Sequence, residues 1–171
     1  MHPAFGVLET ARLRLRPYGQ DDLEDLHAMF SDAEHMRHYP STLDREGAQT
    51  WLDWQQERYA DDGFGLWIVE ELGTGGFAGT VGPMVQEVEG ERHVEIGWHV
   101  RPGLKGRGYA PEAGAAARDW AFANLDVDHV ISLIRPENTS SARVAEKLGM
   151  HVWREADFKG LRHRVWWLDR G

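Results

Sequence analysis

Apolar and polar positions alternate along "TARLRLRPY". Leu13 and Leu15 face one way and Arg12, Arg14 and Arg16 the other, which predicts a half-buried strand closed by Pro17. The period then lengthens. In "GQDDLEDLHAMF" acidic residues precede Leu23, Leu26, Met29 and Phe30 on one helical face, and "DREGAQTWLDWQQERYA" reads as a second helix capped by Asp44. From residue 64 the period is two again. "FGLWIVEE" and "GFAGTVGPMVQEV" form a hairpin through "LGTGG", and "RHVEIGWHV" is a third strand, antiparallel to its predecessor. "PEAGAAARDWAFANL" is the third helix, "DHVISLIR" a strand, and "NTSSARVAEKLG" a helix ended by Gly149. "MHVWREADF" and "RHRVWWLD" are the last two strands. The order β-α-α-β-β-β-α-β-α-β-β predicts a mixed α/β sheet with a right-handed central crossover, and the length of 171 residues fits one domain over 1–171.

Composition narrows the function classes. Eight tryptophans and six phenylalanines supply a core, and Trp51, Trp54 and Trp67 are expected there rather than at a ligand. Of Trp166 and Trp167, one ring should be buried and one at a surface. No run approaches the roughly 18 apolar residues of a membrane span, and "MHPAFGVLETARLRL" lacks the apolar core of an export signal, so a cytoplasmic protein without a membrane partner is expected. The absence of cysteine excludes disulfides, thiolate metal sites and a covalent cysteine intermediate. A net charge of −9 argues against a nucleic-acid partner. Histidines at 35, 38, 93, 99, 151 and 163 lack metal-ligand spacing backed by carboxylates, so no metal is expected.

The most informative stretch is "RPGLKGRGYAPEAGAAARDWAF", which runs from a strand through a glycine-rich basic turn into a helix. A helix start presents unpaired N–H groups and about half a positive charge. Gly106 and Gly108 let an anion approach the backbone, Pro111 fits a first turn, and Lys105 and Arg107 add charge. Those are the parts of a phosphate or pyrophosphate cradle. The turn is not a P-loop, which needs G-x-x-x-x-G-K-[ST], nor a dinucleotide fingerprint, which needs G-x-G-x-x-G in an early β-α unit. Taken alone, it reads equally well as a connector without a ligand.

Together, "EIGWHVRP", "LKGRGYAPEA" and "RPENTSSARVAEKLGM" resemble the GNAT acyltransferase superfamily, closest to its RimJ/RimL-type N-acetyltransferases. The resemblance runs from "LETARLRLRPY" to the final "VWWLD". It implies the acyl-CoA N-acyltransferase fold, a mixed and mostly antiparallel sheet with a splayed central strand pair and flanking helices. It also implies acetyl-CoA as co-substrate. The backbone of Lys105, Gly106, Arg107, Gly108, Tyr109 and Ala110, with Arg143, would hold its pyrophosphate end, and Trp98, His99, Val100 and Asn138 its pantetheine arm. Proteins of this kind usually carry Gln, Arg or Trp-Gly near the start of the turn, where this chain has Leu104-Lys105. A homodimer is common among them.

Acetyl transfer to an amine needs a neutral amine, a polarised carbonyl and a proton for the departing thiolate. Without cysteine, direct attack in a ternary complex is expected rather than a ping-pong route. A backbone N–H of strand 95–100 can polarise the carbonyl. The resemblance assigns protonation of the thiolate to Ser141, which also fits a helix-start residue crowded by Asn138, Thr139 and Ser140. Two bases compete. Glu95, Gly97 and His99 share one strand face; a carboxylate in part-apolar surroundings has a raised pKa, while His99 has the better intrinsic one. Both also read as solvated strand residues. The acceptor, a small-molecule amine or a peptide N-terminus, is expected beside "SDAEHMRHYPSTL", with Glu34, His35, His38 and Tyr39 as candidate contacts. The same four residues would suit an exposed loop. An acyl-CoA-binding sensor without turnover is the second function class, separated from an enzyme by whether Ser141→Ala loses rate while CoA affinity stays.

Overall fold

A computed structural model describes residues 1–171. Eight strands form one sheet: β1 (Leu8–Glu9), β2 (Leu13–Arg16), β3 (Trp67–Glu71), β4 (Phe77–Val88), β5 (Glu91–Val100), β6 (His129–Ile134), β7 (His151–Phe158) and β8 (Leu161–Asp169). Their spatial order is β1-β2-β3-β4-β5-β6-β8-β7. Every neighbouring pair is antiparallel except β5 and β6, which the crossover through a helix makes parallel. The helices are α1 (Leu23–Phe30), α2 (Arg45–Asp62), α3 (Tyr109–Asn124) and α4 (Thr139–Lys147). The elements read from periodicity are all present. The two-residue β1 was not among them, because two residues are too short to display a period.

Local chemistry sets the boundaries. Asp44 caps α2 by accepting the Gly47 N–H at 2.8 Å, as its position in the sequence predicts. The strand expected from Phe64 begins only at Trp67. Its first residues are held by α2 instead: Leu66 donates its N–H to Gln55 Oε1 at 3.0 Å, and its carbonyl accepts from the Tyr59 hydroxyl. At the other end of the neighbouring hairpin, Gly79 lies so close to β5 that a Cβ there would stand 1.9 Å from the His99 carbonyl oxygen. Only glycine lets β4 and the end of β5 approach in this way.

One large apolar cluster fills the space between the sheet and its helices. Trp67 is fully buried, stacked on Phe5 at 4.7 Å and edge-on to Trp120 at 5.5 Å. Trp166 is buried while Trp167 is half-buried and stacks on His129, in line with the division expected of that pair. No helix is long and apolar enough to cross a membrane.

Candidate active site

The sheet opens at one place. β5 and β6 pair only at Glu95 and Ile131. Arg101 donates its N–H to Ala78 on β4, and the Ile96 carbonyl accepts from Ser132 Oγ on β6. Strand alternation therefore turns the peptide groups of Ile96, Trp98 and Val100 toward β6. The next rung of a parallel ladder would join the Leu133 N–H to the Ile96 carbonyl, and that rung is missing. Leu133 donates instead to Glu95 Oε2 at 2.7 Å, and Ser132 Oγ donates to the Ile96 carbonyl at 2.7 Å. At this first step of the opening, the freed Leu133 N–H and Ile96 carbonyl are each satisfied by a side chain. Beyond this point β6 runs with β8, and the Trp98 and Val100 peptides border a gap.

Two cavities meet there, of about 290 Å³ and about 270 Å³. His38, Tyr39, Trp98, His99, Asn138 and Ser141 line both. The smaller cavity is cationic: its charged lining residues are Arg37, Lys105, Arg143 and Lys147, with no carboxylate. The glycine-rich turn closes one side. Gly108 stands at the N-cap of α3 with φ 82°, a left-handed conformation suited to glycine, and no side chain caps the helix. The backbone N–H groups of residues 105–110 find no acceptor within the protein. Burial, reinforced by the Arg37 charge, holds the Lys105 amine below the usual lysine range. Unpaired amides, a helix N-terminus and four cations together make an anion site.

The larger cavity has apolar walls, among them Phe30, Met36, Trp51, Leu66 and Ile96, and a single carboxylate, Glu95. That carboxyl is buried, with Oε1 accepting from Gln86 Nε2 at 3.2 Å. Burial pushes its pKa up to about 7, against the opposing hydrogen bonds from Leu133 and Gln86. His99 Nδ1 lies 3.0 Å from His35 Nε2, with the Phe30 ring edge-on at 5.2 Å and the Tyr39 ring at 5.0 Å. Burial drives these imidazoles down, to about 3 for His99 and about 4 for His35. The pair is therefore neutral at pH 7 and shares one ring proton in its hydrogen bond. Asn138 caps α4, its Oδ1 accepting from the Ser141 N–H and the Ser140 hydroxyl, each at 3.2 Å. The cap thus belongs to Asn138, and the Ser141 hydroxyl forms no hydrogen bond within the protein where the two cavities join.

Most residues singled out in the sequence meet at this junction, with three corrections. Glu34 is exposed, paired to Arg37 Nη1 at 2.7 Å, and lines neither cavity, because the 3₁₀-like turns after α1 point it to solvent. The Arg107 side chain also lines neither: its guanidinium leans toward Glu71 at 3.9 Å, while its carbonyl accepts from Arg12. Trp51 is a cavity wall as well as a core neighbour, its Nε1 donating to the Tyr18 hydroxyl at 3.2 Å. Neither Glu95 nor His99 is a solvated strand residue. His35 is buried behind His99 and reaches only the cationic cavity, whereas His38 and Tyr39 reach both. Sequence reasoning missed Arg37, Lys147, Ser132 and Gln86. The i, i+4 spacing of Arg143 and Lys147 on α4 was the available signal for one of them.

Residues 12–151 match the acetyltransferase (GNAT) domain family. An uncharacterised Bacillus subtilis protein, YkkB, is 37% identical over 145 residues, covering 84% of each chain. The crystal structure of an acetyltransferase from Agrobacterium tumefaciens superposes with a TM-score of 0.84 at 27% identity, over 98% of this chain and 96% of that one. RimL, a ribosomal L7/L12 α-N-protein acetyltransferase solved in complex with coenzyme A, shares the fold at 12% identity, with a TM-score of 0.76 over 95% of this chain and 97% of its own.

Proposed function

The chain belongs to the GNAT acetyltransferase family, and from that premise we propose that it transfers the acetyl group of acetyl-CoA directly to the neutral amine of a peptide N-terminus or a small molecule. One observation carries this reading. A cationic cavity and a largely apolar one share a wall at Trp98 and Ser141, so a phosphate-bearing thioester laid across that wall has its charged end and its acyl end in matching surroundings.

In this reading the turn amides of Lys105, Gly106, Arg107, Gly108, Tyr109 and Ala110 take the pyrophosphate, with Lys105 and Arg143 beside them. Trp98 and Val100 offer unpaired peptide groups to the pantetheine arm, and Asn138 offers its Nδ2, since its oxygen is committed to the cap of α4. An N–H of the same strand edge polarises the thioester carbonyl. The amine nitrogen attacks the carbonyl carbon, the N–C bond forms and the C–S bond breaks. The amine loses its proton to Glu95, directly or through water, while the Ser141 hydroxyl protonates the departing thiolate and regains a proton from solvent. Glu95 is preferred to His99 as base because a pKa near 7 matches neutral-pH proton transfer, whereas His99 resists protonation. His99 then serves as a neutral wall held in place by His35.

An α-amine with a pKa near 7.8 is more easily neutralised than a lysine near 10.4, a difference of about 3.5 kcal/mol. A site with one buried base therefore suits an α-amine. The test is initial-rate thiol release from acetyl-CoA with N-terminal Ala and Ser peptides, amino acids, amino sugars and polyamines. Turnover with one class, lost in Ser141→Ala while CoA binding persists, supports the reading; acetyl-CoA binding with no turnover by any amine overturns it.

A further inference from the structure

The charges around the larger cavity do not suit a polycation. Glu95 is its only carboxylate, and the other charged lining residues are Arg135 and Lys159. Neither cation is fully used within the protein. Arg135 pairs through Nη2 with the exposed Glu137 at 2.8 Å, but its Nε is buried without an acceptor. Lys159 sits at the tip of the β7–β8 hairpin with φ 50°, its Nζ 5.4 Å from the Phe158 ring, and forms no ion pair. The nearby carboxylates Glu155 and Asp157 are taken by Arg162, each at 3.3 Å. Both cations line the larger cavity, as does His163. The coenzyme phosphates have their own set of cations in the other cavity and do not account for this pair.

Resting on the acetyltransferase reading above, we propose that the acceptor carries a carboxylate beside its amine. It is a free α-amino acid with a bulky apolar side chain, its carboxylate held by Lys159 and Arg135, its amine directed to Glu95 and its side chain against Phe30 and Trp51. The cavity of about 290 Å³ accommodates such a molecule together with an acetyl group, and its aromatic walls match an apolar side chain. Pairing the carboxylate also helps the chemistry. A free amino acid's own carboxylate favours its ammonium form, and cations that neutralise that carboxylate make the amine easier to deprotonate.

The experiment compares kcat/KM, with acetyl-CoA saturating, for phenylalanine, leucine and methionine against their amides and against an N-terminal alanine peptide amide. The free acids should exceed the amides by roughly tenfold or more. Lys159→Ala and Arg135→Ala should erase that preference through KM, and Lys159→Glu should invert it toward the amides. Unchanged CoA affinity in calorimetry reports that each variant is folded. Equal or better rates with the amides overturn the inference. Silence with the amino acids but turnover of the peptide amide overturns it while leaving the acetyltransferase reading intact, and silence with every amine overturns both.

Discussion

The Glu95 carboxylate accepts the Leu133 N–H at 2.7 Å, the donor that an unbroken β5–β6 ladder would give to the Ile96 carbonyl. One side chain therefore fills the place where the strands separate and lines the cavity that the separation creates. Its partner across the break, Ser132, satisfies the carbonyl left over. The proposed base is therefore also a part of the architecture at the break.

In the wild type, kcat/KM should rise as pH passes about 7 and the Glu95 carboxyl ionises. Glu95→Gln should lose that limb and fall by roughly 100-fold at pH 8, while a limb at the amine's own pKa remains. Rate profiles from pH 6 to 9 check this. A limb near 7 surviving in the variant would place the base elsewhere.

The same carboxyl costs stability at high pH. Its folded pKa of about 7 exceeds the ordinary 4.5, so the folded chain binds the extra proton between those values, and stability falls as pH rises through that window. The loss is on the order of 3 kcal/mol. Glu95→Gln should therefore have the higher urea midpoint at pH 8, with the two proteins converging at pH 5.

His35 and His99 act with the opposite sign. Their folded values of about 4 and about 3 lie below the ordinary 6.5, so the unfolded chain takes up protons first as pH falls. Stability is complete above 6.5 and drains away toward pH 4. Measured in a Glu95→Gln background, which removes the opposing contribution, the urea midpoint should fall over this window. His99→Gln should flatten the fall; an unaltered slope would refute burial of a neutral pair.

Removing cations from the second cavity should weaken CoA without touching the acceptor. Arg143→Ala and Lys147→Ala should each raise the CoA dissociation constant several-fold and reduce its salt sensitivity, with the acceptor KM unchanged. Calorimetry at two ionic strengths reads both effects.

Gly79→Ala should be more damaging than any of these to the fold. The added Cβ would meet the His99 carbonyl at 1.9 Å, so β5 must shift. A loss of about 2 kcal/mol or more in unfolding free energy is expected, together with lost turnover as the Trp98–Val100 edge moves. Val85→Ala, elsewhere on the same strand, is the comparison for a plain loss of side-chain volume.

The chain's local pattern was enough for its elements: Leu13 and Leu15 against Arg12 and Arg14 for a strand, Asp44 for the start of α2, Gly108 and Pro111 for the start of α3. It was also enough for the family, because the turn and the Asn138–Ser141 segment carry their chemistry in consecutive residues. Glu34, by contrast, lines neither cavity. Its acidity is written in the sequence, but the direction of its side chain is set by the loop that follows α1.

Period and caps are local properties and can be read along the chain. Which groups meet is settled by how distant segments pack. Glu95 and Leu133 lie 38 residues apart, and His35 and His99 64 apart. Their burial, their altered proton affinities and the cations that line the same cavity as Glu95 all arise from the packing of distant segments, because a pKa or an unpaired charge depends on surroundings that no single stretch of chain contains.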